Sequence, residues 1–112
     1  MYDSKINSII IVCIKTNDAP LSSVDRNKLS QQLGISRNSS YVLQRERKLP
    51  PPISPPLGPK FWHRYEVDAI LLSMSDASIT PESMASSLVE SRSKLPELIL
   101  QAHSTKSKGS AA

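Results

Sequence analysis

Apolar side chains along this chain fall into four groups, and the spacing inside each group predicts an element. In the first group Tyr2, Ile6, Ile9, Ile10, Cys13 and Ile14 recur at helical intervals, while the β-branched run from Ile9 to Val12 also suits a buried strand. Helix is the preferred form, and on either form the role is packing on the core. Asn17-Asp18-Ala19-Pro20 breaks the element. In the second group Val24, Leu29 and Leu33 face inward on a helix capped by Ser22 or Ser23, with Arg26 and Lys28 on its wet side. Gly34 suits the left-handed turn after that helix, Ile35 anchors the turn, and Ser36 caps a second helix from Arg37 to about Lys48. Leu43 points this second helix to the core. In the third group Val67, Ile70, Leu71 and Met74 draw one helical stripe, with Glu66 and Asp68 complementing the dipole in its first turn. The fourth group opens on the helix start Thr80-Pro81-Glu82, continues through Met84, Leu88 and Val89, and resumes after Pro96 with Leu98, Ile99 and Ala102 beside Leu95.

Between the second and third groups runs Leu49-Pro50-Pro51-Pro52-Ile53-Ser54-Pro55-Pro56-Leu57-Gly58-Pro59-Lys60-Phe61-Trp62. Three consecutive prolines end the helix before them and impose extended geometry. The length fits two extended arms, a turn near Pro56-Leu57-Gly58-Pro59, and a return ending at Trp62, which packs on the following helix. A pair of helices around a glycine turn, followed by such a hairpin, is the order of a winged helix-turn-helix. The expected fold is therefore mainly α: a winged helix-turn-helix with a short, proline-rich wing and a C-terminal helical extension. Residues 1–20 form the leading element, 21–75 the winged unit, 76–103 the extension and 104–112 a disordered Ser/Lys/Gly/Ala tail.

The chain is +4 overall, but residues 26–64 hold eight Lys and Arg against one acid, Glu46, so that segment is +7 and the remainder −3. Positive charge concentrated on a two-helix motif points to nucleic acid. Short polar groups and one forked donor lie at the start of the second helix: Ser36, Arg37, Asn38 and Ser39. Arg reads guanine and Asn reads adenine through paired hydrogen bonds. Tyr41 and Arg45, four residues apart, share a surface with them, although Tyr41 equally suits the core. Arg26, Lys28, Lys48, Lys60, His63 and Arg64 complete the candidate DNA contacts, Lys60 near the wing tip and His63 and Arg64 at its base.

No glycine-rich phosphate loop, metal-spaced His/Cys cluster or paired-acid motif occurs, so no catalytic residue, metal, cofactor or small-molecule substrate is expected. Cys13 is a small buried hydrophobe, and one cysteine cannot form an intramolecular disulfide. The apolar run Ile9–Ile14 is too short to cross a bilayer, so no membrane partner is expected. These features suit the cytoplasm of a bacterial host cell, in association with DNA.

The order Leu33-Gly34-Ile35-Ser36-Arg37, Tyr41, Leu49-Pro50-Pro51-Pro52-Ile53, Trp62 and Glu66-Val67-Asp68-Ala69 resembles the AlpA-like phage regulators. That family belongs with the excisionases and the MerR-like winged-helix DNA-binding domains. The likeness covers residues 21–72, about half of the chain. It implies a second helix reading the major groove and a wing on the adjacent minor groove or backbone. It also implies a role in prophage transcription or as a directionality factor in recombination. The family usually has glycine where this chain has Arg47, an apolar residue at Ser40 and a basic one at Val42. Its wing is richer in Arg and Lys than Ile53–Phe61, so recognition is expected to rest on the helix.

The function expected is sequence-specific binding of double-stranded DNA. Two other classes use parts of the same pattern: a ring-forming DNA-packaging adaptor of the small terminase kind, and a protein-interaction adaptor that presents Pro50–Pro59. Neither helix of residues 76–103 is stable alone, so they dock on the domain or on another chain; pairing of two copies would add avidity, and a homo-oligomer is the favoured expectation there.

Overall fold

Helix α1 (Ser4–Thr16) resolves the first ambiguity, since Ile6, Ile10, Cys13 and Ile14 point inward at helical spacing. A computed structural model describes residues 4–102. Tyr2 and the tail 104–112 lie outside the described residues. The elements that follow are β1 (Ser23–Val24), α2 (Arg26–Leu33), α3 (Arg37–Arg45), β2 (Trp62–His63), α4 (Arg64–Met74) and α5 (Pro81–Ser93). A last helix, α6, occupies residues 95–102. The protein is mainly helical, with one small antiparallel sheet in which Ser23 pairs with His63 and Val24 with Trp62. No helix among the described residues is long and apolar enough to cross a membrane.

Helix α4 lies at the centre, packed against α1 and α5. One core runs through the chain, from Ile10 and Cys13 of α1, through Val24, Leu29, Leu49 and Trp62, to Val67, Met84, Leu88, Leu98 and Ala102. The last two helices therefore belong to the same core. Their apolar stripe docks on the chain that carries it. Polar groups tie α4 to its neighbours. The carboxylate of Glu66, fully buried, accepts from Arg92 Nε at 2.7 Å and from a terminal guanidinium nitrogen at 3.0 Å. The hydroxyls of Tyr65 and Ser91 share a buried hydrogen bond of 2.8 Å. Asn17 donates to Asp68 at 2.8 Å, joining the end of α1 to α4. Lys5 bonds Asp76 and Ser78 at 3.0 and 2.8 Å, joining its start to the α4–α5 turn. Burial among these helices, with Asp68 adding to it, pushes the Cys13 thiol up to about 12, so it stays protonated and behaves as an apolar side chain.

Several boundaries differ from the sequence expectation, each for a local reason. Helix α2 starts at Arg26 and is capped by Asp25, whose carboxylate accepts from Lys28 N–H at 2.8 Å, not by Ser22 or Ser23. Pairing of Ser23 and Val24 with β2 holds that backbone extended, and Ser22 closes a turn onto Ala19 instead. Helix α3 ends at Arg45, short of Lys48. There Arg47 adopts φ +64°, and its N–H and that of Lys48 close onto Gln44 and Leu43 at 3.1 and 2.8 Å. This is the left-handed helix ending that glycine favours, made with arginine. At the parallel ending of α2, Gly34 takes φ +70°. The buried side of α4 is wider than the expected stripe. It includes Tyr65, Glu66 and Ala69, while Met74 is 58 % exposed. Glu66 does more than complement the helix dipole. Val89 also faces solvent.

Candidate nucleic-acid interface

Helix α3 begins where the sequence places it, with Ser36 Oγ accepting from Ser39 N–H at 3.0 Å. Ser40 is fully buried against the rest of the protein, and Leu43 and Gln44 are half-buried. The opposite side of the helix presents Arg37, Asn38, Tyr41, Val42 and Arg45 to solvent. Tyr41, 44 % exposed, is therefore on the surface and not in the core.

Between Pro52 and Trp62 the chain forms a hairpin. Ile53 and Phe61 exchange two backbone hydrogen bonds of 2.7 and 3.1 Å, and the chain turns at residues 56–58. The buried Trp62 donates its indole N–H to Pro50 O at 2.9 Å, which fixes the root of the hairpin to the core. Its returning arm closes a cleft of about 360 Å³ against α2 and α3, bordered by Arg26, Arg37, Tyr41, Gln44, Pro59 and Lys60 among others.

Arg26 is the keystone of this cleft. Its guanidinium donates to Ser40 Oγ at 3.0 Å and to Gln44 Oε1 at 2.6 Å, lies 3.7 Å from the Tyr41 ring centroid and 5.0 Å from that of Trp62. A planar cation suits both the fork and the stacking. The side chain is half-buried, so it does not stand in water as its place on α2 suggests. Arg37 reaches back across the helix pair to Asn27 Oδ1 at 2.7 Å. The Arg37 side chain also donates to the Tyr41 hydroxyl. That bond, together with the charges of Arg26, Arg37 and Lys60, lowers the phenol's pKa below its ordinary value against an opposing desolvation. Lys28 and Lys60 meet at a second shallow recess on the α2 side of the hairpin, beside Asp25 and Phe61.

The structure thus gathers Arg26, Arg37, Tyr41 and Lys60 at one cleft, places Lys28 at its flank, and leaves Asn38 and Arg45 on the adjoining exposed face. The side chains of Lys28, Arg45, Arg47 and Lys60 have no hydrogen-bond or ion-pair partner among the described residues. Ser36 and Ser39 serve chiefly as the cap. Lys48 is not at the cleft. It pairs with Glu46 at 3.3 Å and borders an apolar recess with Leu33, Leu43 and Ile70. His63 is occupied as the cap residue of α4, donating from Nδ1 to Leu21 O at 3.1 Å and stacking on Tyr65. Arg64 is exposed at the start of α4, away from the cleft residues.

Three participants escaped the sequence reading: Asn27, Ser40 and Gln44. Gln44 carried a usable signal, because Arg37, Tyr41 and Gln44 follow i, i+4, i+7 spacing. Asn27 and Ser40 carried none, since their partners come from the crossing of α2 and α3. Comparison with family models, with characterised proteins and with solved structures returns no match. No group of His, Cys, Asp and Glu among the described residues is arranged to hold a metal ion.

Proposed function

We propose that this chain is a sequence-specific double-stranded DNA-binding protein that acts by occupancy and not by catalysis. In this reading α2, α3 and the 53–61 hairpin form a winged helix-turn-helix. The exposed side of α3 enters the major groove and the hairpin lies on the adjacent groove or backbone. The observation that carries it is the meeting of the exposed α3 face with Arg37, Lys60 and the Arg26-braced Tyr41. Arg37, held by Asn27 but still exposed, and Asn38 beside it are the residues for base edges. Lys28, Arg45 and Lys60 suit phosphates. Arg26 acts as a positioning residue, because both terminal nitrogens and its flat face already have partners. The resemblance to AlpA-like regulators adds the biological setting, control of a promoter or of a recombination site.

Selection of bound sequences from a random duplex pool at near-physiological salt tests the proposal. A recurring motif supports it. Uniform, salt-sensitive affinity with no enrichment would reduce the protein to a general polycation binder and refute it.

A further inference from the structure

The hairpin ends in a run without a single polar side chain, Pro55-Pro56-Leu57-Gly58-Pro59. Leu57 is 98 % exposed, more than any other large hydrophobic among the described residues. An apolar side chain so exposed does nothing for this fold, since burial is what stabilises. The tip is also stiff. Three prolines fix φ on both sides of the turn, the Ile53–Phe61 bridge clamps the arms, and the Trp62–Pro50 bond holds the root. The tip is joined to the cationic cleft, because Pro59, two residues after Leu57, lines that cleft with Arg37 and Tyr41. Two residues span at most about 7 Å.

A rigid, uncharged, apolar point beside a cationic helix face fits one structure on a duplex that polar side chains do not. It fits the gap between two partly unstacked base pairs, approached from the minor groove. We propose that Leu57 is an apolar wedge that enters a base step next to the α3 site and bends the DNA. This deepens the DNA-binding proposal and rests on it. Lys60 then contacts the backbone beside the opened step. The bend falls at pyrimidine–purine steps, which unstack most readily. A polyproline-reading protein is the poorer partner for this segment. Such ligands are free extended strands, whereas both arms here are tied into a hairpin.

The test uses the full chain and the duplex it selects, labelled at both ends for energy transfer and carrying 2-aminopurine at the step facing the hairpin. Wild type should raise both end-to-end transfer and 2-aminopurine fluorescence. Leu57→Ser should return both to the values of free duplex and weaken binding roughly tenfold, the net of lost apolar burial and avoided unstacking. It should keep the selected motif and the salt dependence, because no charge is removed. Leu57→Met should retain the bend. Folding is not at issue, since Leu57 is fully exposed. A wild-type complex with straight duplex, or a Leu57→Ser complex bent as strongly, overturns the wedge while leaving DNA binding in place. Unchanged DNA behaviour with Leu57-dependent binding of an SH3 domain overturns it in favour of a protein partner. A wild-type chain that selects no sequence overturns the underlying reading, and the wedge with it.

Discussion

Arg92 and Arg26 are both half-buried arginines whose guanidinium groups each make two side-chain hydrogen bonds, and they sit in opposite halves of the molecule. Arg92 closes on the buried carboxylate of Glu66, so its charge is cancelled and the pair joins α4 to α5. Arg26 closes on a hydroxyl, an amide and two aromatic rings, all neutral, so its positive field survives. The half built from α1, α4, α5 and α6 pairs cations with acids, Arg92 with the buried Glu66 and, nearer the surface, Lys5 with Asp76 and Lys94 with Glu90, and makes a scaffold. The half built from α2, α3 and the hairpin orders its cations without neutralising them, which is what a polyanion-binding surface requires. Similar burial thus serves stability in one half and presentation in the other.

The largest way to break this contrast is Arg92→Ala, which strands a carboxylate in the core. It should lower unfolding free energy by about 3–5 kcal/mol in denaturant titrations, with DNA affinity per folded molecule unchanged. A loss below about 1 kcal/mol would mean that the pair is not the joint between α4 and α5.

On the other half, Arg37→Ala should weaken binding to the selected site by about 1–3 kcal/mol and relax preference at one base pair. An equal loss on every sequence would make Arg37 a phosphate contact. Arg26→Lys separates bracing from contact. Binding should fall by about 1 kcal/mol, because an ammonium cannot fork to Ser40 and Gln44 while stacking on Tyr41. Lysine keeps the charge, so the second variant, Arg26→Gln, should leave the slope of log K against log salt unchanged; a slope smaller by about 0.9 would show a lost phosphate.

Arg47→Gly probes the left-handed ending of α3. Relief of a left-handed arginine should stabilise the fold by up to about 1 kcal/mol, read as a higher Tm. Destabilisation would show that the Arg47 side chain has a structural role. The smallest effect lies in acid. Hydrogen bonds from the Ser78 hydroxyl and backbone, then from Lys5, lower the Asp76 carboxyl from 3.8 to about 2. A depressed carboxylate stabilises above its unfolded value and loses that contribution as pH falls from about 4 towards 2. Asp76→Asn should therefore flatten the acid limb in that window, and an unchanged limb would place the acid sensitivity elsewhere.

Much of this was legible locally. Gly34, Ser36 and Thr80 act at their own positions through turn and cap chemistry, and each performs the expected role. What was not legible depends on partners distant in sequence. Asp25 becomes the α2 cap because β2 claims Ser23 and Val24 first. Glu66 reads as a first-turn acid complementing the helix dipole until Arg92, 26 residues later, is brought against it. Arg26 reads as a solvated helix charge until α3 and Trp62 enclose it. The candidate interface was therefore legible as a stretch of chain, and the division between bracing and presenting residues was not.

The most direct test repeats the random-duplex selection with wild type beside a triple variant, Arg37→Ala, Asn38→Ala and Arg45→Ala, after both are shown to fold by circular dichroism. Wild type should enrich one motif, and the variant should enrich none while keeping weak, salt-sensitive affinity. A variant that enriches the same motif would contradict reading by α3, and a wild type that enriches nothing would contradict sequence-specific binding altogether.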